Sequence, residues 1–99
     1  MIQMDYISKV RKDKRRYLGF IQPKNKYQQR KLSTVEDFLF YMKKIKKIKK
    51  LNEFRYFHIS DYLKHLKEDK NLKEGTLKEK EKILKAFYRR NKIDWEWQE

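Results

Sequence analysis

Apolar side chains recur at helical spacing through most of residues 33–91, and no other feature constrains the fold of this chain as much. Ile59, Tyr62, Leu63 and Leu66 stand at i, i+3, i+4 and i+7, the stripe of an amphipathic helix. That helix is expected over about residues 60–69, with Ser60 as its cap. Further on, Thr76-Leu77-Lys78-Glu79 has the spacing of a capping box. It opens a helix to about Asn91, with Leu77, Ile83, Leu84, Phe87 and Tyr88 turned inward. Upstream, Ser33 or Thr34 precedes Glu36 or Asp37 by three residues, again a capping box. The helix that follows is expected to reach about Lys50, with Phe38, Tyr41 or Met42, Ile45 and Ile48 on its apolar stripe. Residues 24–32 read as a polar connector and Asn52–Phe57 as a loop. The Lys70–Gly75 loop looks too long for a helix-turn-helix.

The N-terminal third has a different rhythm. Ile2, Met4, Tyr6, Ser8 and Val10 alternate with polar residues, although Ile7 breaks the pattern. A charged interval, Arg11–Arg16, separates them from Tyr17-Leu18-Gly19-Phe20-Ile21, which Pro23 closes. Two such runs around a polar interval read as a β-hairpin. A helix is the competing reading, with Tyr6, Val10, Tyr17 and Ile21 on one face, interrupted by Lys14. At the other end Ile93, Trp95 and Trp97 alternate with polar residues, as an edge strand or a last helical turn would. The expected fold is therefore α+β and mostly helical, in one domain over residues 1–99. It comprises an N-terminal hairpin, three amphipathic helices and a short aromatic C-terminal segment.

Composition sets the limits on this fold. With 38% apolar and 42% charged residues, the core must rest on a few large side chains, and six Phe, seven Tyr and two Trp supply them. Each can bury roughly 150–250 Å². There is no cysteine, which excludes disulfide scaffolds, cysteine-based zinc sites and thiol catalysis. The longest apolar run, Phe38–Met42, is far too short to span a membrane, and no secretory signal is apparent. A cytoplasmic protein is expected. The dense Lys and Glu usage is of the kind seen in hyperthermophile proteins.

Charge points to the partner. Residues 1–52 hold sixteen Lys or Arg against four acids, a net of +12, whereas residues 53–99 hold twelve against ten. A segregated charge creates a field with a direction and favours a polyanion, nucleic acid before an anionic membrane surface. Lys43, Lys44, Lys46, Lys47, Lys49 and Lys50 fall within eight residues with no interleaved acid. On a helix they would present a broad ammonium surface that neutralises phosphates and releases counterions. Lys9, Arg11, Lys12, Lys14, Arg15 and Arg16 form a second basic cluster in the expected hairpin turn. Arg11, Lys12, Arg15 and Arg16 are its expected contacts, since arginines can make bidentate bonds to phosphate. The plainer readings are a solvated lysine face and an exposed turn.

Nothing in the spacing points to catalysis or to a cofactor. His58, Asp61 and His65 would line one face if a helix began at His58, a set that could bind a divalent metal, but each is more simply a boundary residue. Glu79 and Glu81 alternate with lysines in the manner of i,i+4 ion pairs, and no P-loop, dinucleotide fingerprint or Ser-His-Asp arrangement is present.

Thr34 at a helix start, Ile59-Ser60-Asp61-Tyr62-Leu63, and Thr76-Leu77 leading to Ile83–Tyr88 together resemble the SAM-like core-binding domain of tyrosine recombinases. The resemblance covers residues 34–91 and rests mostly on apolar positions. It implies a helical module that clamps duplex DNA through basic helices, and it carries over no strand transfer, because the catalytic Arg, His and Tyr set is absent. In length and composition the chain also resembles small uncharacterised proteins of filamentous viruses that infect hyperthermophilic archaea, which would place it in the host cytoplasm. The expected function is non-enzymatic nucleic-acid binding, duplex DNA favoured. The alternative is a structural or protein-interaction component, for which a homodimer anchored by Trp95 and Trp97 is one form.

Overall fold

The structure, a computed structural model, describes residues 5–94. Among them it contains five α-helices and no strand: α1 (Tyr6–Lys12), α2 (Lys14–Leu18), α3 (Lys26–Lys44), α4 (Phe57–Lys70) and α5 (Glu74–Arg90). A single 3-10 turn, Leu51–Glu53, lies between α3 and α4.

The expected N-terminal hairpin is thus two short helices, and the class is all-helical in place of α+β. The residue that broke the alternation explains why. Tyr6, Ile7 and Val10 are all buried, which a helix allows at i, i+1 and i+4 but a strand with alternating faces does not. Asp5 caps α1 by accepting the Ser8 N–H at 2.9 Å. Asp13 ends α1 and starts α2, accepting the Arg16 N–H at 3.3 Å. α2 closes on Gly19, in the left-handed region at φ 90°. A β-carbon there would lie 3.3 Å from the Arg90 guanidinium, which rests on this turn. Arg90 donates from Nε to the Arg16 carbonyl and from Nη2 to that of Arg15, both at 3.0 Å. The end of α5 therefore satisfies carbonyls in the last turn of α2, beside its Gly19 cap.

Three helix boundaries also move. α3 begins at Lys26, seven residues before the expected cap, so the polar connector is itself helical. Asn25 accepts the Gln28 N–H at 2.8 Å while the Gln28 side chain accepts the Lys24 N–H at 2.7 Å, a reciprocal cap like the one sought at Ser33. Thr34 lies mid-helix and buried. α4 starts at Phe57, so Ser60 is not its cap, and Tyr56 in that place makes no side-chain cap bond. Just before the helix, the Arg55 N–H donates to Nδ1 of buried His58 at 2.9 Å. α5 starts at Glu74, two residues before Thr76.

Only residues 71–73 separate α4 from α5, fewer than expected. The two helices nevertheless form an antiparallel pair, because the end of α5 returns to the start of α4. Tyr88 Oη donates to the Arg55 carbonyl at 2.8 Å, and the Asp94 carboxylate accepts the Tyr56 N–H at 2.9 Å. This is a helical hairpin, whereas the helices of a helix-turn-helix diverge.

The core is one cluster built on aromatic rings. Phe54, just after the 3-10 turn, meets Tyr6 of α1 edge to face at 5.2 Å and Phe38 of α3 at 5.7 Å. It lies 6.4 Å from Tyr88 of α5. Phe38 in turn packs on Tyr62 of α4 at 5.3 Å. The Tyr62 hydroxyl donates to the Asp37 carboxylate, which holds α4 against α3. Burial, reinforced by Asp37, pushes the Tyr62 hydroxyl far above its ordinary range, so it remains a donor. The inward residues expected on α4 and α5 are buried, with Leu63 and Leu77 at the edge of the cluster. Ile93 is buried in the turn after α5, and Trp95 and Trp97 lie outside the described residues.

Candidate nucleic-acid interface

The lysine run does not form one helical face. α3 stops at Lys44, and Lys46–Lys50 continue as irregular chain. Two physical effects end it. No acid offsets the lysines at i±4, so further helix would stack like charges. The chain also gains by turning back, because Ile48 packs against the core while Ile45 stays 54% exposed. The reversal occurs at Lys47, whose φ of 57° is left-handed. It brings the Ile48 carbonyl to the hydroxyl of Tyr6, at 2.5 Å. Burial first, then the nearby Asp5 and Glu53 charges, pushes the Tyr6 hydroxyl up to about 12, so it holds its proton for this bond.

This fold-back brings part of the lysine run beside Lys9 and Arg16 of the N-terminal cluster. Three open depressions adjoin along one side of the molecule. The first is lined by Lys43, Lys44, Lys47 and Lys49 around Tyr6 and Ile48. The second shares Tyr6 and Lys49 with it and adds Lys9, Lys50 and Tyr17. The third shares Tyr17, Leu51 and Asn52 with the second and adds Arg16, Arg90 and Lys92. Two acids line the whole series, and both are engaged. Asp5 pairs with Lys43, whose hydrogen bond holds the Asp5 carboxyl down to about 2, and Asp94 accepts the Tyr56 N–H.

The ten residues read from the sequence divide accordingly. Lys47, Lys49 and Lys50 are exposed and make no ion pair with a described residue. Lys43 lines the first depression but is tied to Asp5. Lys44 lies over the Phe40 ring at 5.6 Å, and Arg11 lies over the same ring at 5.4 Å. Arg11 is also bound to Glu36 at 2.8 Å, and Lys46 to Asp61 at 3.1 Å, which raises the Lys46 pKa. Arg16 lies over Tyr17 at 5.4 Å and lines the third depression. Lys12 and Arg15 are exposed but line none of the three. They sit on a pair of helices, not in a hairpin turn. Lys9, part of the N-terminal basic cluster, lines the second depression. Lys92 was missed, because only the folded chain brings it to this surface.

Among the described residues no cluster of three potential ligands exists. His58 spends Nδ1 on the Arg55 N–H, Asp61 pairs with Lys46, and His65 lies 3.2 Å from Asp69. No described helix is long and apolar enough to cross a membrane. Comparison with protein-family models, curated proteins and solved structures finds no match to this chain.

Proposed function

We propose that this protein binds nucleic acid without catalysis, duplex DNA before single strands, through contacts to the phosphate backbone. The observation that carries the reading is the meeting of Lys9 and Arg16 with Lys47, Lys49 and Lys50 around Tyr6 and Tyr17. A row of unpaired lysines at the surface neutralises successive phosphates and gains affinity by releasing counterions. The +12 balance of residues 1–52 adds long-range attraction. The preference for duplex comes from the rings available. Tyr6 is buried and Tyr17 half-buried, whereas the exposed Tyr27, Tyr56 and Phe57 line none of the three depressions. Single-strand binders stack bases on exposed rings, and these depressions offer none among the described residues. Such contacts carry no direct sequence readout.

The test is a salt titration of binding to a duplex DNA of mixed sequence, beside the matching single strand and a duplex RNA. Tightest binding to the DNA duplex is expected at low salt, with log K falling linearly against log salt. Absence of duplex binding at low salt, or a flat salt dependence, would overturn the reading.

A further inference from the structure

The chain turns through the left-handed region at or just beyond the ends of four helices, and the residues there differ in an instructive way. α2 closes on Gly19 and α4 on Asn71, at φ 90° and 52°. These residue types adopt that conformation at least cost. α3 and α5 are capped by Ile45 and Asn91 at negative φ, and the chain then reverses at Lys47 and Lys92, at φ 57° and 54°.

In both cases hydrogen bonds require the reversal. At the end of α5 the Lys92 N–H reaches the Arg89 carbonyl at 3.4 Å and the Ile93 N–H that of Tyr88 at 2.9 Å, the Schellman pattern in which glycine is usual. At the end of α3 the closure is wider. The Lys46 N–H returns to Tyr41 at 3.3 Å and the Ile48 N–H to Met42 at 3.0 Å. Local folding alone would favour glycine at both positions. The attraction of a lysine to the helix dipole offsets only part of the left-handed penalty.

The two lysines share something that Gly19 and Asn71 lack, which is a place on the basic depressions. Lys47 lines the first and Lys92 the third. A helix C-terminus carries about half a negative charge, which repels phosphate, and α3 and α5 both end at this surface. A cation just beyond each helix end reverses the sign where a phosphate would approach. We infer that Lys47 and Lys92 are phosphate contacts held just beyond two helix C-termini against their backbone preference, so that folding stability is given up for a positive charge at each. This rests on the nucleic-acid reading above.

The experiment makes Lys47→Gly, Lys92→Gly and the double variant in the full chain, with Asn71→Gly as control. Each is followed by thermal unfolding and by salt-titrated binding to duplex DNA. Each lysine variant is expected to melt roughly 4 °C higher and to bind about fivefold more weakly at low salt. Its log–log salt slope is expected to be shallower by about 0.9. Asn71→Gly leaves binding unchanged. A double variant with unaltered affinity and slope, when the wild type binds, would show that these lysines only turn the chain and would overturn the inference while sparing the function. A lower melting temperature in both lysine variants also overturns it, because no strain was then carried. A wild type that fails to bind duplex at low salt removes the functional reading itself.

Discussion

The Tyr6 hydroxyl donates to the carbonyl of Ile48, joining the first turn of α1 to backbone 42 residues further along the chain. This bond fastens the lysine segment across α1 and so assembles the first two basic depressions. Tyr6→Phe keeps the ring against Phe54 and removes only the bond. It should cost about 1 kcal/mol, read as a fall of roughly 4–8 °C in melting temperature. Affinity for duplex DNA should fall with it although no charge is lost. An unchanged melting temperature would show that the fold-back is held by Ile48 packing alone.

Acid should weaken the fold through His58. Burial, helped by Lys46 and Arg55 and opposed by Asp61 and Asp94, holds its pKa below the ordinary 6.5. The unfolded chain therefore takes up a proton that the folded chain refuses. Stability is complete above pH 6.5 and declines as pH drops below that value. Protonation also removes the Nδ1 lone pair that accepts the Arg55 N–H. Melting temperatures measured from about pH 7 down to about pH 5 should fall, and His58→Gln should remove that part of the slope. A wild-type profile flat over this range contradicts the assignment.

A second acid limb belongs to Asp5, whose pKa is lowered from 3.8 to about 2, first by its bond to Lys43. Its contribution is present above 3.8 and lost as pH falls toward about 2. Asp5→Asn should flatten the limb below pH 3.8, since the amide can still cap α1 through its oxygen but attracts Lys43 less. The pair is partly exposed, so at neutral pH its loss should cost no more than about 1 kcal/mol in urea unfolding.

Phe54 is the hub of the core, fully buried and in ring contact with α1, α3 and α5. Phe54→Ala should cost about 3–5 kcal/mol in urea unfolding. Ile21→Ala, at a side chain 59% exposed, should stay within about 0.5 kcal/mol. Equal effects at the two positions would contradict the core described here.

Arg90 tests how α2 is held. Arg90→Lys keeps the charge but loses the fork that reaches two carbonyls at once. Amide exchange should quicken across residues 14–19 while α4 stays protected. Uniform quickening would mean that α2 is not a separable part of the fold.

The parts legible in the sequence were those with enough turns to show a period. α4 and α5 repeat their apolar stripe over 14 and 17 residues, and Tyr62, Leu66, Ile83, Leu84, Phe87 and Tyr88 were identified from it. α1 and α2 have only seven and five residues, and over Tyr6–Val10 the periods of strand and helix both place residues 6 and 10 together. The signal that decides is Ile7, which breaks the alternation and is buried beside Tyr6. The end of α3 failed for a different reason. The spacing of Ile45 and Ile48 continues the stripe of Phe38 and Met42, but charge repulsion and the bond to Tyr6 override it. Asn25 and Gln28 did signal the true start of α3, in competition with a second cap pattern at Ser33. The basic surface itself is tertiary, since Lys9, Lys50 and Lys92 meet only after the chain has folded, and no linear pattern contains it.

The central claim is that a particular surface, not net charge, engages the polyanion. The most direct measurement compares two variants that each lose four positive charges. One replaces Lys9, Lys47, Lys49 and Lys50 by Gln. The other replaces Lys64, Lys67, Lys70 and Lys78, all exposed and outside the three depressions. In duplex DNA binding titrated with salt, the first should lose most of its affinity and about three to four units of log–log slope. The second should keep both nearly intact. Equal losses in the two variants would contradict the account.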